Sequence, residues 1–160
     1  MLKEFVDTKH YKFAQRAADW REAIAMSCEA IEADGTVSPT YKEDIIRFID
    51  AHGPYVVLAP GIVMPHVQPS ETSGTRVTNS TINFMHLEEP VSFDDSDPEK
   101  YGKIFFTLAV KDVDDHFKCM VKIVNMLNNP EIMNALMDAH GPEDLLALQE
   151  KYGDIINAAL

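Results

Sequence analysis

The chain has 160 residues, 46% of them apolar, and its 26 Asp and Glu outnumber its 14 Lys and Arg to give a formal net charge of −12. That length and apolar share suit one α/β domain over residues 1–160 with a single sizeable core, and they exclude a disordered chain or a disulfide-stapled miniprotein. The charge leaves no broad cationic face for nucleic acid or an anionic membrane, and no apolar run approaches the roughly 20 residues of a membrane span.

The opening residues MLKEFVDTKH lack the apolar stretch of a signal peptide, so a cytoplasmic location is expected. From residue 19 to 32, Trp20, Ala23, Ile24, Ser27, Cys28 and Ile31 recur on one face at helical spacing. Asp19 with Glu22 three residues later has the form of a capping box, which predicts a helix there. Ser38-Pro39 supplies a cap and a first-turn proline for a second helix carrying Tyr41, Ile45, Phe48 and Ile49, which Gly53-Pro54 ends.

The chemistry then turns to strand composition over 55–59, 62–64, 77–87 and 104–110. The last of these is apolar at successive positions, which predicts a central strand covered on both faces and so helices on both sides of the sheet. Asp114 is expected to cap a third helix whose apolar positions are Phe117, Met120, Val121, Val124 and Leu127. Asn129-Pro130 and Gly141-Pro142 start two more. The expected order is two helices, then a mixed sheet of four to five strands, then three helices. The acidic run from Asp94 to Lys100 lacks the glycine and ligand periodicity of an EF-hand and is read as a solvated turn. Cys28 and Cys119 have no ligand-like spacing and are read as small buried apolar residues. The Met residues, among them Met120, Met126, Met133 and Met137, are read as core filler.

Two histidines stand out by context. His66 follows Pro65 at the end of a short apolar strand and precedes Pro69. Proline fixes φ, so this backbone is stiff and suits a nucleophile presented in one geometry. His116 follows the central strand and, with Asp114 as cap, falls in the first turn of a helix, where the dipole and unpaired N–H groups favour an anion such as phosphate. On these local grounds alone a structural role is the default reading of either residue. His10, His52, His86 and His140 form no motif and are read as structural or exposed.

The run Gly61-Ile62-Val63-Met64-Pro65-His66 resembles the G-h-A-h-P-H motif of the mannitol/fructose-type (type-2) enzyme IIA family of the bacterial phosphoenolpyruvate-dependent sugar phosphotransferase system. The resemblance extends over nearly the whole chain and is greatest to the ascorbate-type, or pentitol-type, IIA components, through Gly53 to Gly61, Asp97-Pro98 and Ile123-Val124-Asn125. It implies that His66 accepts the phosphoryl group and that His116 is its neighbour in the site and stabilises that group. It also implies a phosphohistidine donor on HPr, a cysteine acceptor on a cognate enzyme IIB, an indirect link to a membrane IIC transporter, and L-ascorbate or a pentitol-like solute as cargo. Two departures are visible: Val67 replaces the small residue common after the phosphorylated histidine, and the arginine that some mannitol-type members carry has no clear counterpart, Arg47 being only nearby. Val67, Gln68 and Pro69 are expected to contribute to the docking surface for IIB.

Transfer between two side chains depends on positioning and on stabilising the phosphoryl oxygens. A neutral imidazole is available for that near pH 7 without special activation. No GxxxxGK[ST] run is present, so ATP is not the expected donor, and no cofactor is expected. Two other readings stay open: a phosphohistidine domain that signals to a regulator protein, and a metalloenzyme built on His66, His116 and one of Asp112, Asp114 or Asp115.

Overall fold

A computed structural model describes residues 1–68 and 76–158. Among these the elements are α1 (Leu2–Thr8), β1 (Tyr11–Ala14), α2 (Trp20–Ala33), α3 (Thr40–His52), β2 (Val57–Ala59), β3 (Gly61–Val63), β4 (Thr81–Ser92), β5 (Tyr101–Ala109), α4 (Val113–Leu127), α5 (Pro130–Met137) and α6 (Pro142–Ile156). The expected order holds from α2 onward, and α1 and β1 come before it. Their sequence signals are weak for physical reasons. Helix α1 has only 7 residues and no side-chain cap, although Leu2 and Phe5 are buried, and all four residues of β1 are half-buried, so no inside-outside alternation shows.

The five strands form one open mixed sheet in the order β1-β4-β5-β3-β2. Strand β1 is parallel to β4, β4 antiparallel to β5, β5 parallel to β3, and β3 antiparallel to β2. Strand β5 is therefore central, as its double-faced apolar run requires. On one face Met85, Leu87 and Phe105 pack with Ile24, Cys28 and Ile31 of α2 and Tyr41, Ile45 and Ile49 of α3. On the other, Phe84, Ile104, Phe106 and Leu108 pack with Leu2, Phe5, Ile123, Ile132 and Leu145. Each such buried side chain contributes roughly 1.5–3 kcal/mol.

Local signals explain most boundaries. Asp19 accepts from the Glu22 N–H while Glu22 reaches back to the Ala18 N–H, and Asn129 caps Glu131 and Ile132. Two caps differ from expectation. Ser38 does not cap α3: its hydroxyl takes the Arg76 N–H and meets the Thr40 hydroxyl. Asp112, not Asp114, caps α4 by accepting from the Asp115 N–H. The buried face of α4 also differs, being His116, Ile123 and Met126, while Phe117 and Val124 are exposed. The acidic run is a turn between β4 and β5 in which Asp94 accepts from the Ser96 N–H and hydroxyl. The methionine reading divides, with Met126 fully buried and Met120, Met133 and Met137 packed at the core's edge.

Candidate active site

The site is built where β3 and β5 end side by side. Gly61 opens the motif at φ 84, a left-handed backbone, and a Cβ there would come within 2.8 Å of the Met137 methyl, so glycine is required on both counts. Val63 pairs with Phe105 of β5. The chain then runs through Met64 and Pro65 to His66, and β5 runs on to the Asp112 cap and His116 in the opening turns of α4.

This brings the two histidines together: the ring centroids of His66 and His116 lie 5.0 Å apart at 40°. His66 Nδ1 is 2.7 Å from the Met64 carbonyl oxygen. A carbonyl only accepts, so Nδ1 carries the proton and Nε2 keeps its lone pair. Tyr55 sets its ring edge-on to His66 at 5.4 Å and donates its hydroxyl to the His66 carbonyl at 2.6 Å. His116 is 8% exposed and its Nε2 has no hydrogen-bond partner among the described residues. An unsatisfied buried polar atom costs about 1–3 kcal/mol, which a phosphoryl oxygen placed there would relieve.

Electrostatics favour neutral rings. Burial pushes the His66 imidazole below its ordinary pKa, only partly offset by the bond to Met64. Burial, and then repulsion from His66, push His116 in the same direction. A cleft of about 220 Å³ lies beside His66, lined by Phe48, His52, Tyr55, Val67 and Gln68.

His52 carries no motif, and Tyr55, although it falls in the Gly53–Gly61 run, has no local signal that marks it as a site residue. Val67 contradicts its expected place on a docking surface. It is 3% exposed and belongs to the core with Tyr41 and Phe105, because the segment after His66 turns its side chain inward. Gln68 is exposed, and Pro69 lies outside the described residues. Arg47 pairs with buried Asp44 at 3.0 Å.

The 2-His-1-carboxylate reading finds no third ligand. Asp112 is engaged as the α4 cap, Asp115 takes the Ser80 hydroxyl at 2.5 Å, and among the described residues no three His, Cys, Asp or Glu side chains gather to hold a metal. Of the other histidines, His10 bonds Thr81 and Asp34, His86 the Met137 carbonyl and His140 Glu88, while His52 lies ring to ring with Phe48 at 5.4 Å. Cys28 is fully buried, which pushes its thiol up to about 12. Cys119 is half-buried, and burial raises it as well. Among the described residues no helix is long and apolar enough to cross a membrane.

Comparison with known proteins bears on the family and the fold. The family model for the phosphoenolpyruvate-dependent sugar phosphotransferase system, EIIA 2, matches residues 4–152. The ascorbate-specific PTS system EIIA component of Escherichia coli K12 is 29% identical over 148 residues, covering 91% of this chain and 92% of that protein. The ascorbate-specific component of Salmonella typhi is 30% identical over 136 residues, covering 84% and 85%. The mannitol-specific cryptic phosphotransferase enzyme IIA CmtB of Escherichia coli superposes with a TM-score of 0.77 at 26% identity, covering 97% of each chain.

Proposed function

This chain belongs to the EIIA 2 family of the phosphoenolpyruvate-dependent sugar phosphotransferase system, and we propose that it acts in the cytoplasm by taking a phosphoryl group from phospho-HPr onto His66 and passing it to a cysteine of a cognate enzyme IIB. The observation that carries this reading is the His66 ring, whose Nδ1–H is held by the Met64 carbonyl so that Nε2 is the bare nitrogen, beside a buried nitrogen of His116 that has no partner among the described residues.

In the first step the His66 Nε2 lone pair forms the P–N bond as the P–N bond to the donor histidine breaks, and the electron pair of that bond returns to the donor ring. In the second, a thiolate of IIB attacks the same phosphorus and the His66 Nε2 pair is restored. In both, the Met64 carbonyl steadies the Nδ1–H that becomes more acidic as Nε2 is phosphorylated. His116 Nε2, when protonated, donates to a phosphoryl oxygen in the water-poor pocket. His116 lies in the opening turns of α4, and the N–H groups of the first two residues of a helix have no intrahelical acceptor. Partner docking is supported by exposed apolar side chains of the same helix, Val113 at 64% and Phe117 at 66%. The cargo is read as L-ascorbate, because relatives bearing that specificity match most of the chain.

Reconstitution with phosphoenolpyruvate, enzyme I and HPr, followed by mass detection of an acid-labile adduct and its site, tests the proposal. An adduct on His66 that a cognate IIB removes is the expected result. An adduct confined to any other residue would overturn it.

A further inference from the structure

We infer that the Tyr41 hydroxyl is inserted into the hydrogen-bond ladder between β5 and the His66 segment, holding the His66 peptide one link away from β5, and that Tyr41 is thereby the positioning residue for the nucleophile. This rests on His66 being the phosphoryl acceptor.

The argument starts from register. Val63 stands opposite Phe105 in the parallel β3–β5 pair, so three steps further His66 stands opposite Leu108. In a parallel ladder, the residue before His66 would accept from the Leu108 N–H, and the residue after it would donate to the Leu108 carbonyl. The first bond is made: the Leu108 N–H donates to the Pro65 carbonyl at 3.0 Å. The second is not made directly. The Val67 N–H donates to the Tyr41 hydroxyl at a long 3.4 Å, and that hydroxyl donates to the Leu108 carbonyl. One phenolic oxygen thus replaces a single ladder bond with two in series, and it opens the ladder by roughly 3 Å at the reactive residue.

The site is sealed. Tyr41 is 1% exposed, Leu108 0% and Val67 3%, so water does not compete for these groups and each would be left unsatisfied without the phenol. Tyr41 comes from the first turn of α3, which is packed on the opposite core from His116. The hydroxyl therefore ties three elements at one point: α3, the end of β5 that leads into His116, and the peptide that follows His66. Burial raises the phenol well above its ordinary pKa, so it remains a donor. The neighbouring tie from Tyr55 to the His66 carbonyl fixes the same peptide from the solvent side but does not touch β5.

Removing the hydroxyl has a defined consequence. In Tyr41→Phe, the Val67 N–H and the Leu108 carbonyl either stay unpaired or close directly on each other. Both outcomes shift the His66 peptide and loosen its ring from the Met64 carbonyl. A displacement on the order of 1 Å costs about 100-fold in a reaction that depends on alignment.

The experiment compares the full chain, Tyr41→Phe and a control in the same helix and core, Ile45→Val. Imidazole ¹⁵N NMR should show His66 in wild type as a single form with Nδ1 protonated and Nε2 bare. Tyr41→Phe should show shifts averaged toward the other tautomer, and Ile45→Val should match wild type. Phosphoryl acceptance from HPr should fall roughly 10- to 100-fold in maximal rate in Tyr41→Phe, with an unchanged half-saturating HPr concentration. Wild-type shifts and rate in Tyr41→Phe would overturn the inference, as would an equal slowing in Ile45→Val. Should Tyr41→Phe fail to fold, 3-fluorotyrosine at position 41 alone, whose oxygen accepts more weakly, should speed hydrogen exchange at the Val67 amide, and unchanged exchange would refute the link. If wild type carries phosphate on another residue, the proposed function fails, while the tautomer comparison still decides the role of Tyr41.

Discussion

The rings of His66 and His116 lie 5.0 Å apart, one in the segment that continues β3 and the other in the opening turns of the helix that follows β5. Because those strands are parallel neighbours, both residues emerge at the same carboxyl edge of the sheet, the edge at which open α/β sheets place their ligands. His66→Ala should therefore abolish phosphorylation, and in wild type the phosphate should sit on Nε2, since Nδ1 is committed to the Met64 carbonyl. The site and isomer can be read by phosphorus–nitrogen NMR coupling; an Nδ1 adduct would contradict the geometry.

His116→Ala should leave His66 able to accept phosphate but slow its transfer. The nitrogen it removes is buried and has no partner among the described residues, so its loss withdraws a donor from the phosphoryl group and breaks no hydrogen bond described within the fold. A charge-assisted hydrogen bond is worth about 1.5–3 kcal/mol, or roughly 10- to 150-fold if it acts in the transition state. Rapid-quench measurement of transfer to IIB gives the factor, and a wild-type rate would remove His116 from the mechanism.

What the sequence discloses of this arrangement follows from how local each signal is. The caps at Asp19 and Asn129 and the two-faced strand ending before His116 act within a few residues, and they are visible in the chain. The α4 cap is ambiguous locally because Asp112, Asp114 and Asp115 are all competent caps. The structure uses Asp112, and packing of the helix on the sheet buries Ile123 and leaves Phe117 exposed. Tyr41 reads correctly as a core position of α3. The use of its hydroxyl depends on a ladder between β5 and the segment after β3, and no spacing within α3 encodes that contact. Helix α1 and strand β1 are stabilised mainly by packing on α6 and β4, so short segments with weak periodicity conceal them.

The acid limit of activity should lie below that of a free imidazole. Burial lowers both His66 and His116 from the ordinary value near 6.5, so the unprotonated nucleophile persists as pH falls through that region. The linked effect on stability has the opposite consequence. The unfolded chain takes up protons on these residues before the folded one does, so stability declines once pH drops below about 6.5 and continues to fall toward the depressed folded-state values. Initial rates of phosphoryl acceptance and urea midpoints, both measured between pH 5 and 8, report the two effects; an acid limb at or above the free-imidazole value would be inconsistent with the buried rings.

The cysteines of this chain should be dispensable for transfer. Cys28 is sealed under α2 with its thiol raised to about 12 by burial, so it supplies no thiolate near neutrality, and Cys119 is half-buried and raised as well. The Cys28→Ser, Cys119→Ser double variant should lose about 1–3 kcal/mol of stability, chiefly from the buried hydroxyl at position 28, and keep its transfer rate. Thermal unfolding and the reconstituted relay measure these separately, and selective loss of transfer in a folded double variant would mean that a cysteine of this chain takes part.

Partner choice supplies the last prediction. A IIA component of this mechanism never meets the sugar, so cargo is selected through whichever IIB fits the surface around His66. Gln68 lines the cleft beside His66, and Val113 and Phe117 are exposed on the helix that carries His116, while Val67 is withdrawn into the core. Phe117→Ala should therefore weaken productive docking, raising the half-saturating IIB concentration and leaving phosphorylation by HPr less affected. The net charge of −12 favours a partner with a basic rim and an association rate that falls as salt rises. The phosphorylated protein, offered in turn to purified IIB components of ascorbate, galactitol, mannitol and fructose systems, should transfer fastest to the ascorbate type. Faster transfer to a mannitol or fructose IIB would overturn the ascorbate assignment and leave the role of His66 intact, because the chemistry of the imidazole does not depend on which thiolate arrives.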